Sequence, residues 1–245
     1  MHSLIVILTA TLILCGAGCA EGMRTIAESP HNRPLDIDHM LRGYFVAIST
    51  REDGPLPSPD WCTQYSCSRS IDSGEGFASG TLSIEVRPDE DTLFDGAFPA
   101  MKVYVANTTD QELYFDVLDL HLYMVVQARD RGGTWRDIEH MPPVLCGNSY
   151  NKLYLPANRY WVFATPLHDG EYRTTFRIRL LYQKELSNYW RHAFAYSNAT
   201  TREERDSLHR YYHSLPRKEI PTDTLYSNEF PGGVNRWQFS KRVED

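Results

Sequence analysis

The chain has 245 residues, of which 42% are hydrophobic and 23% are charged, and its formal net charge at pH 7 is −7. This balance is typical of a globular protein and excludes the collagen-like and intrinsically disordered classes. The acidic total also disfavours nonspecific nucleic-acid binding, which depends on Lys and Arg side chains that neutralise phosphates. We therefore expect no nucleic-acid partner.

An uncharged segment opens the chain. Residues 4–14 read LIVILTATLIL, which is the length of a signal-peptide core and too short for a dedicated transmembrane helix. Small residues at 16–18 then precede Cys19. The run resembles the lipobox of bacterial lipoproteins, and this resemblance implies a signal peptide over residues 1–18 and a lipid on Cys19. Two alternatives stay open: a plain secretory signal cut near Ala20, and an uncleaved anchor over residues 4–20.

All three interpretations place most of the chain outside the cytoplasm. The lipoprotein interpretation predicts a cell-envelope protein that is held to the membrane through its N-terminal lipid. Residues 19–39 combine prolines and charges without a clear period, which predicts a tether. Residues 40–245 are then expected to form a single domain.

Three cysteines follow the leader, namely Cys62, Cys67 and Cys146. Thiols tend to pair outside the cytoplasm, and three cysteines allow three single pairings. We favour a Cys62–Cys67 disulfide, because it would close the short loop between these two residues. Cys146 is then expected to be a buried free thiol, since no sequence feature around it indicates a catalytic role.

Alternation with period two dominates the middle of the chain and predicts β-strands. The apolar phase slips by one residue near Asp119, which predicts a bulge or a change of sheet there. A turn is expected at residues 130–133. The predicted strands lie around 82–86, 101–105, 113–117, 118–126, 134–138, 152–155 and 160–165.

The clearest strand runs from Tyr172 to Tyr182, with apolar residues on one face and Arg173, Arg177 and Arg179 on the other. We interpret the arginine stripe as a solvated face. Residues 167–172 read LHDGEY and resemble the tyrosine-corner segment of immunoglobulin-like sandwiches. Together with seven or more predicted short strands, this resemblance favours an all-β, Ig-like antiparallel sandwich. Thr174 stands where antibody domains carry a cysteine, so the inter-sheet disulfide of those domains is not expected.

Residues 184–222 interrupt the β pattern and predict a partly helical insertion near the C-terminus. Thr201 and Glu204 fit a capping box, which predicts a helix from about Arg202 to His213. A returning strand is expected over residues 224–230. The insertion is rich in side chains that commonly anchor interfaces, and an alternative is that its rings pack the insertion onto the sandwich. The candidate binding residues are Tyr189, Trp190, Arg191, Tyr211 and Tyr212.

Catalytic, metal and cofactor motifs are weak. His209 and His213 lie one helical turn apart but lack the Glu of a zinc-protease motif, so we interpret them as a surface pair. The acidic residues 89–91 and Asp95 lack the ligand spacing of an EF-hand and are interpreted as a solvated turn. We therefore predict no metal, no cofactor and no catalytic residues.

Two functions remain as expectations. The first is a noncatalytic cell-envelope lipoprotein that acts as a binding or structural module, with another envelope protein or a surface glycan as its partner. The alternative is an extracellular enzyme that acts on a glycan or a peptide. The enzyme predicts a cleft with two facing carboxylates, or a Ser or Cys beside a His.

Overall fold

The computed structural model describes residues 33–49, 65–72, 74–141, 149–215 and 220–239. This part of the chain is mostly β. Its strands are β1 (Leu41–Arg42), β2 (Ala47–Ile48), β3 (Ser66–Cys67), β4 (Arg69–Ser70), β5 (Leu82–Phe94), β6 (Phe98–Asn107), β7 (Leu113–Leu118), β8 (His121–Leu122), β9 (Met124–Arg129), β10 (Trp135–Asp137), β11 (Glu139–His140), β12 (Tyr150–Leu155), β13 (Arg159–Pro166), β14 (Tyr172–Tyr182), β15 (Asp223–Tyr226) and β16 (Phe230–Val234). Its helices are α1 (Asn188–Asn198), α2 (Arg202–Ser214) and a 3-10 helix, Arg236–Phe239.

Three antiparallel sheets carry the fold. One has the order β4-β13-β6-β5, the second β10-β9-β14-β15 with β16 also paired to β14, and the third β12-β7-β8. A bridge between Tyr114 and Gln183 joins the third sheet to the end of β14. Two short parallel pairs, β1 with β11 and β2 with β3, complete the pairing among the described strands.

All three sheets contribute to one apolar core. The fully buried Trp161 comes from the first sheet, Phe176 and Ile178 from the second, and Phe115 from the third. The indole nitrogen of Trp161 donates a hydrogen bond to the carbonyl of Ile48 at 3.1 Å, so its one polar atom is satisfied. The all-β prediction is therefore confirmed, as antiparallel sheets around a shared core.

The strand predicted from Tyr172 to Tyr182 is present as β14 with these bounds. Its opposite face is not a free row of cations, because each arginine has a neighbour. The Arg177 guanidinium carbon lies 4.3 Å from the Trp135 ring centre and 3.8 Å from that of Tyr226. Arg179 forms an ion pair with Asp137 at 2.9 Å. These contacts support a structural role for the arginine stripe.

The predicted change of phase near Asp119 coincides with a hairpin turn inside the third sheet, and the change of sheet comes after β8. Asp119 and Leu120 both have positive φ, at 50° and 70°, and they join β7 to β8 as a two-residue hairpin. Two positive φ values in a two-residue loop suit the twist of the flanking strands. The chain then enters the second sheet at β9.

The corner before β14 depends on a glycine. A Cβ on Gly170 would lie 2.2 Å from the backbone carbon of Val234, so the bare backbone allows β16 to approach. Gly170 and Gly233 are joined by a backbone hydrogen bond of 3.0 Å. The Tyr172 ring packs 6.3 Å from that of Phe239. Its hydroxyl makes no hydrogen bond to the described residues, so the bond that defines a tyrosine corner is absent there.

Two sequence interpretations need correction. Residues 89–91 are not a turn but part of β5, where the register shifts between Arg87 and Asp91; the turn lies at Asp95, whose φ is 51°. The single strand expected over 224–230 is two strands, β15 and β16. Within the segment predicted as a tether, Leu35 is buried and exchanges backbone hydrogen bonds with Leu167 and Asp169.

Candidate binding surface

The segment between β14 and β15 contains two helices that pack against each other, α1 and α2. The predicted helix at 202–213 is confirmed as α2, with both halves of its capping box at 3.1 Å. Hydrogen bonds from the backbone of Thr201 and Thr200 to the Glu204 carboxylate lower the pKa of that group. Helix α1 was not predicted. It begins after Ser187, whose side chain accepts a hydrogen bond from the backbone of Trp190.

The two helices attach lightly to the β body. Neither helix contains a buried residue. The Phe194 ring of α1 meets the Tyr154 ring of β12 edge-on, with 6.3 Å between their centres. Trp190 lies one turn earlier, 6.3 Å from Phe194. The Trp190–Phe194 side of α1 therefore faces the body and leaves the other sides of the hairpin open.

Large aromatic side chains remain exposed on these open sides. Tyr189 is 71% exposed, Tyr211 59% and Tyr196 45%. Single exposed apolar residues are common on protein surfaces. Three exposed tyrosines on one pair of helices are less ordinary, because tyrosine is a residue type that often anchors interfaces. We call the exposed sides of α1 and α2, with these three tyrosines, the tyrosine surface.

The predicted binding residues divide into two groups. Tyr189, Tyr211 and Arg191 are exposed, whereas Trp190 and Tyr212 are half-buried. The ring centres of Tyr189 and Trp190 are 5.2 Å apart, and those of Tyr211 and Tyr212 are 5.1 Å apart. In the described part of the chain, no ring contact joins one pair to the other.

Sequence reasoning missed the position of His192. Its ring lies 5.7 Å from that of His209 and 5.9 Å from that of His213, so the predicted surface pair is part of a group of three. Desolvation and the two neighbouring imidazoles lower the pKa of His192. Predicting a helix that begins after Ser187 would have placed His192 on a helical surface. The sequence gives little signal for that helix, because the segment has no acidic residue in its first turn and no basic residue in its last.

The enzyme alternative needs a cleft with suitable groups. One cleft of about 850 Å³ is lined by two carboxylates, Asp130 and Glu171. The Asp130 carboxylate already accepts hydrogen bonds from the backbone of Gly132 and Thr134 and from Arg136, at 2.8–3.0 Å. These bonds lower the pKa of Asp130 and tie it to the turn.

A second cleft of about 710 Å³ is lined by Ser66 and Cys67, without a histidine among its described lining residues. A Ser or Cys nucleophile needs an adjacent base. The first cleft thus holds two carboxylates, one of which is tied into a turn, and the second holds a Ser and a Cys without a histidine among its described lining residues.

Several residues with predicted roles lie outside the part of the chain that the structure describes. Cys19, Cys62 and Cys146 lie outside the described residues, so the lipidation site and the Cys62–Cys67 disulfide stay predictions. None of the helices in the described ranges has the length and apolar character needed to cross a membrane. No protein-family model, curated protein or solved structure matches this chain.

Proposed function

We propose that this protein is a noncatalytic cell-envelope lipoprotein, anchored by a lipid on Cys19, that binds another envelope protein through its tyrosine surface. Its β body is proposed to be an immunoglobulin-like sandwich that serves as the scaffold. The antiparallel sheets and their shared core support the scaffold. The apolar leader and the small residues before Cys19 support the anchor.

The observation that carries the binding role is the exposure of Tyr189, Tyr196 and Tyr211 on regular helices. An aromatic side chain buries on the order of 200 Å² when fully covered, so these three expose roughly 350 Å² in total. A stable interface covers about 800 Å² on each side, so polar neighbours would have to supply more than half of its area.

A protein partner suits this surface better than a glycan. Small-ligand sites are usually concave, whereas a helix commonly binds by lying in a groove of another protein. The tyrosine surface lies on the outer sides of two helices that bury none of their residues. We therefore expect the partner to supply the groove.

The anchor is tested with Cys19→Ser, using Cys15→Ser as the matched control because it changes a neighbouring cysteine of the leader. Cells expressing each variant are given a labelled fatty acid and then fractionated. Label and membrane association should be lost in Cys19→Ser and kept in Cys15→Ser. Mass spectrometry of the mature N-terminus should find the lipid on Cys19. An unlabelled wild type, or a labelled Cys19→Ser, contradicts the anchor.

The binding role is tested by photo-crosslinking in intact cells. A photoreactive residue replaces Tyr189 or Tyr211, and the control replaces Leu93, an exposed apolar residue of β5. We expect one protease-sensitive adduct from positions 189 and 211, absent from position 93, and weakened by a Tyr196→Ser change in the same chain. Absence of an adduct, the same adduct at all positions, or an adduct removed only by glycosidases contradicts a protein partner.

A further inference from the structure

Three histidine rings meet between α1 and α2. His209 and His213 lie on one side of α2, with ring centres 4.1 Å apart. His192 of α1 lies against both, at 5.7 and 5.9 Å. The rings of Tyr196 and Tyr212 flank His192 at 5.5 and 5.4 Å. Two helices thus bring three imidazoles to one place.

This spacing is close to what a transition metal requires. Zinc binds histidine nitrogens at about 2.0–2.1 Å in tetrahedral geometry, which puts the centres of two coordinating rings about 5 Å apart. Each of the three observed distances is within roughly 1 Å of that value. In their present rotamers, no three or more His, Cys, Asp or Glu side chains of the described chain are placed so that they could hold a metal ion. Metal binding by the three histidines therefore requires their rings to rotate until one nitrogen of each faces a common point.

A second observation points to a missing ligand. The Nε2 atom of His192 is shielded from solvent and has no hydrogen-bond partner within the described residues. A buried polar atom without a partner costs free energy, so such atoms are usually paired with protein, water or an ion. A metal at the junction of the three rings would satisfy it.

We propose that His192, His209 and His213 form a binding site for a divalent transition metal of the zinc class. Imidazole is a preferred ligand of Zn²⁺, Cu²⁺ and Ni²⁺, and two histidines four residues apart on a helix present their rings to one ion. The third histidine links α1 to α2, so the metal cross-links a hairpin that is otherwise lightly attached. The proposal does not rest on the lipid anchor or on the protein partner, although Tyr196 of the tyrosine surface borders the site.

The test uses the full chain, purified without a histidine tag. Zn²⁺ is titrated by calorimetry into the wild type and into His192→Gln, His209→Gln and His213→Gln. His39→Gln is the matched control because it removes an exposed histidine elsewhere. We expect one Zn²⁺ per chain in the wild type and the control. In each of the three variants the Zn²⁺ affinity should fall by about tenfold or more. Circular dichroism checks that every variant is folded.

Two results would overturn the proposal. One is the absence of stoichiometric Zn²⁺ binding in the wild type. The other is unchanged affinity in His192→Gln, which would reduce the site to the His209–His213 pair. The spectrum of bound Co²⁺ provides a check on the ligands, since tetrahedral nitrogen coordination is expected and a thiolate charge-transfer band would assign the metal to a cysteine instead.

Discussion

Replacing Glu139 with Gln should make the protein more stable at neutral and alkaline pH. Glu139 is buried on β11. One carboxylate oxygen accepts a hydrogen bond from the backbone of Val126 at 3.0 Å, and the other has no partner in the described chain. Burial raises the pKa of Glu139 from 4.5 to about 8, against the opposing effects of the nearby Tyr44 hydroxyl and of the hydrogen bond from the backbone of Val126. The folded protein therefore holds this side chain as a neutral acid over most of the physiological range.

Proton linkage determines how Glu139 makes the free energy of unfolding depend on pH. Below pH 4.5 the carboxyl is protonated in both the folded and the unfolded chain. As pH rises, the unfolded chain releases the proton first, so the free energy of unfolding falls until about pH 8 and is level above it. Each tenfold change in acidity corresponds to about 1.4 kcal/mol, which makes the total fall on the order of 5 kcal/mol.

The assay is urea unfolding of the wild type and Glu139→Gln between pH 4 and pH 9. Between pH 4.5 and about pH 8, the difference between their unfolding free energies should change by about 1.4 kcal/mol per pH unit and favour the variant at high pH. Glu229→Gln, which changes an exposed carboxyl, is the matched control and should follow the wild type. Parallel curves for the wild type and Glu139→Gln would refute the reasoning.

The other predictions concern the corner, the insertion and a buried amide. Gly170→Ala should destabilise the protein by about 2–4 kcal/mol in thermal unfolding, because the new methyl group meets backbone at 2.2 Å; Gly74→Ala, with nothing within 4 Å, should be nearly neutral. Thr201→Ala should cost about 1 kcal/mol by removing a helix cap and reduce the helical circular-dichroism signal, whereas Ser197→Ala should not; an unchanged signal would contradict this. Asn107→Ala should cost about 2–4 kcal/mol, because the buried amide donates to three carbonyls at 2.8–3.0 Å; an unfolding midpoint equal to that of the wild type would contradict it.

The sheets were the predictable part of the fold. Alternation fixes which side chains of a strand share a face, and Phe176, Ile178 and Leu180 are all buried as their spacing indicates. The pairing of β14 with β9, β15 and β16 was not predictable, because these contacts join residues far apart in sequence. The hidden carboxyl of Glu139 escaped notice for the same reason, since its burial depends on strands from other parts of the chain.

The helical insertion was only half predictable. The capping box of α2 is a local signal, and a local signal can be read from the sequence. Helix α1 has a single Ser cap and no charge bias at its ends, so its helical form depends on contact with α2 and β12. The grouping of His192 with His209 and His213 follows from that contact, which explains why the sequence indicated a pair.

The way the insertion leaves and rejoins the body allows it to vary as a module. Tyr182 and Asp223 are register partners on adjacent strands, so the chain departs and returns at neighbouring points of one sheet. A short turn would be enough to connect β14 to β15, and the core residues of β14 lie before that junction. Substitutions and length changes in the helices can therefore accumulate with little effect on the β body, which would let a lineage exchange the helical insertion while keeping the same scaffold.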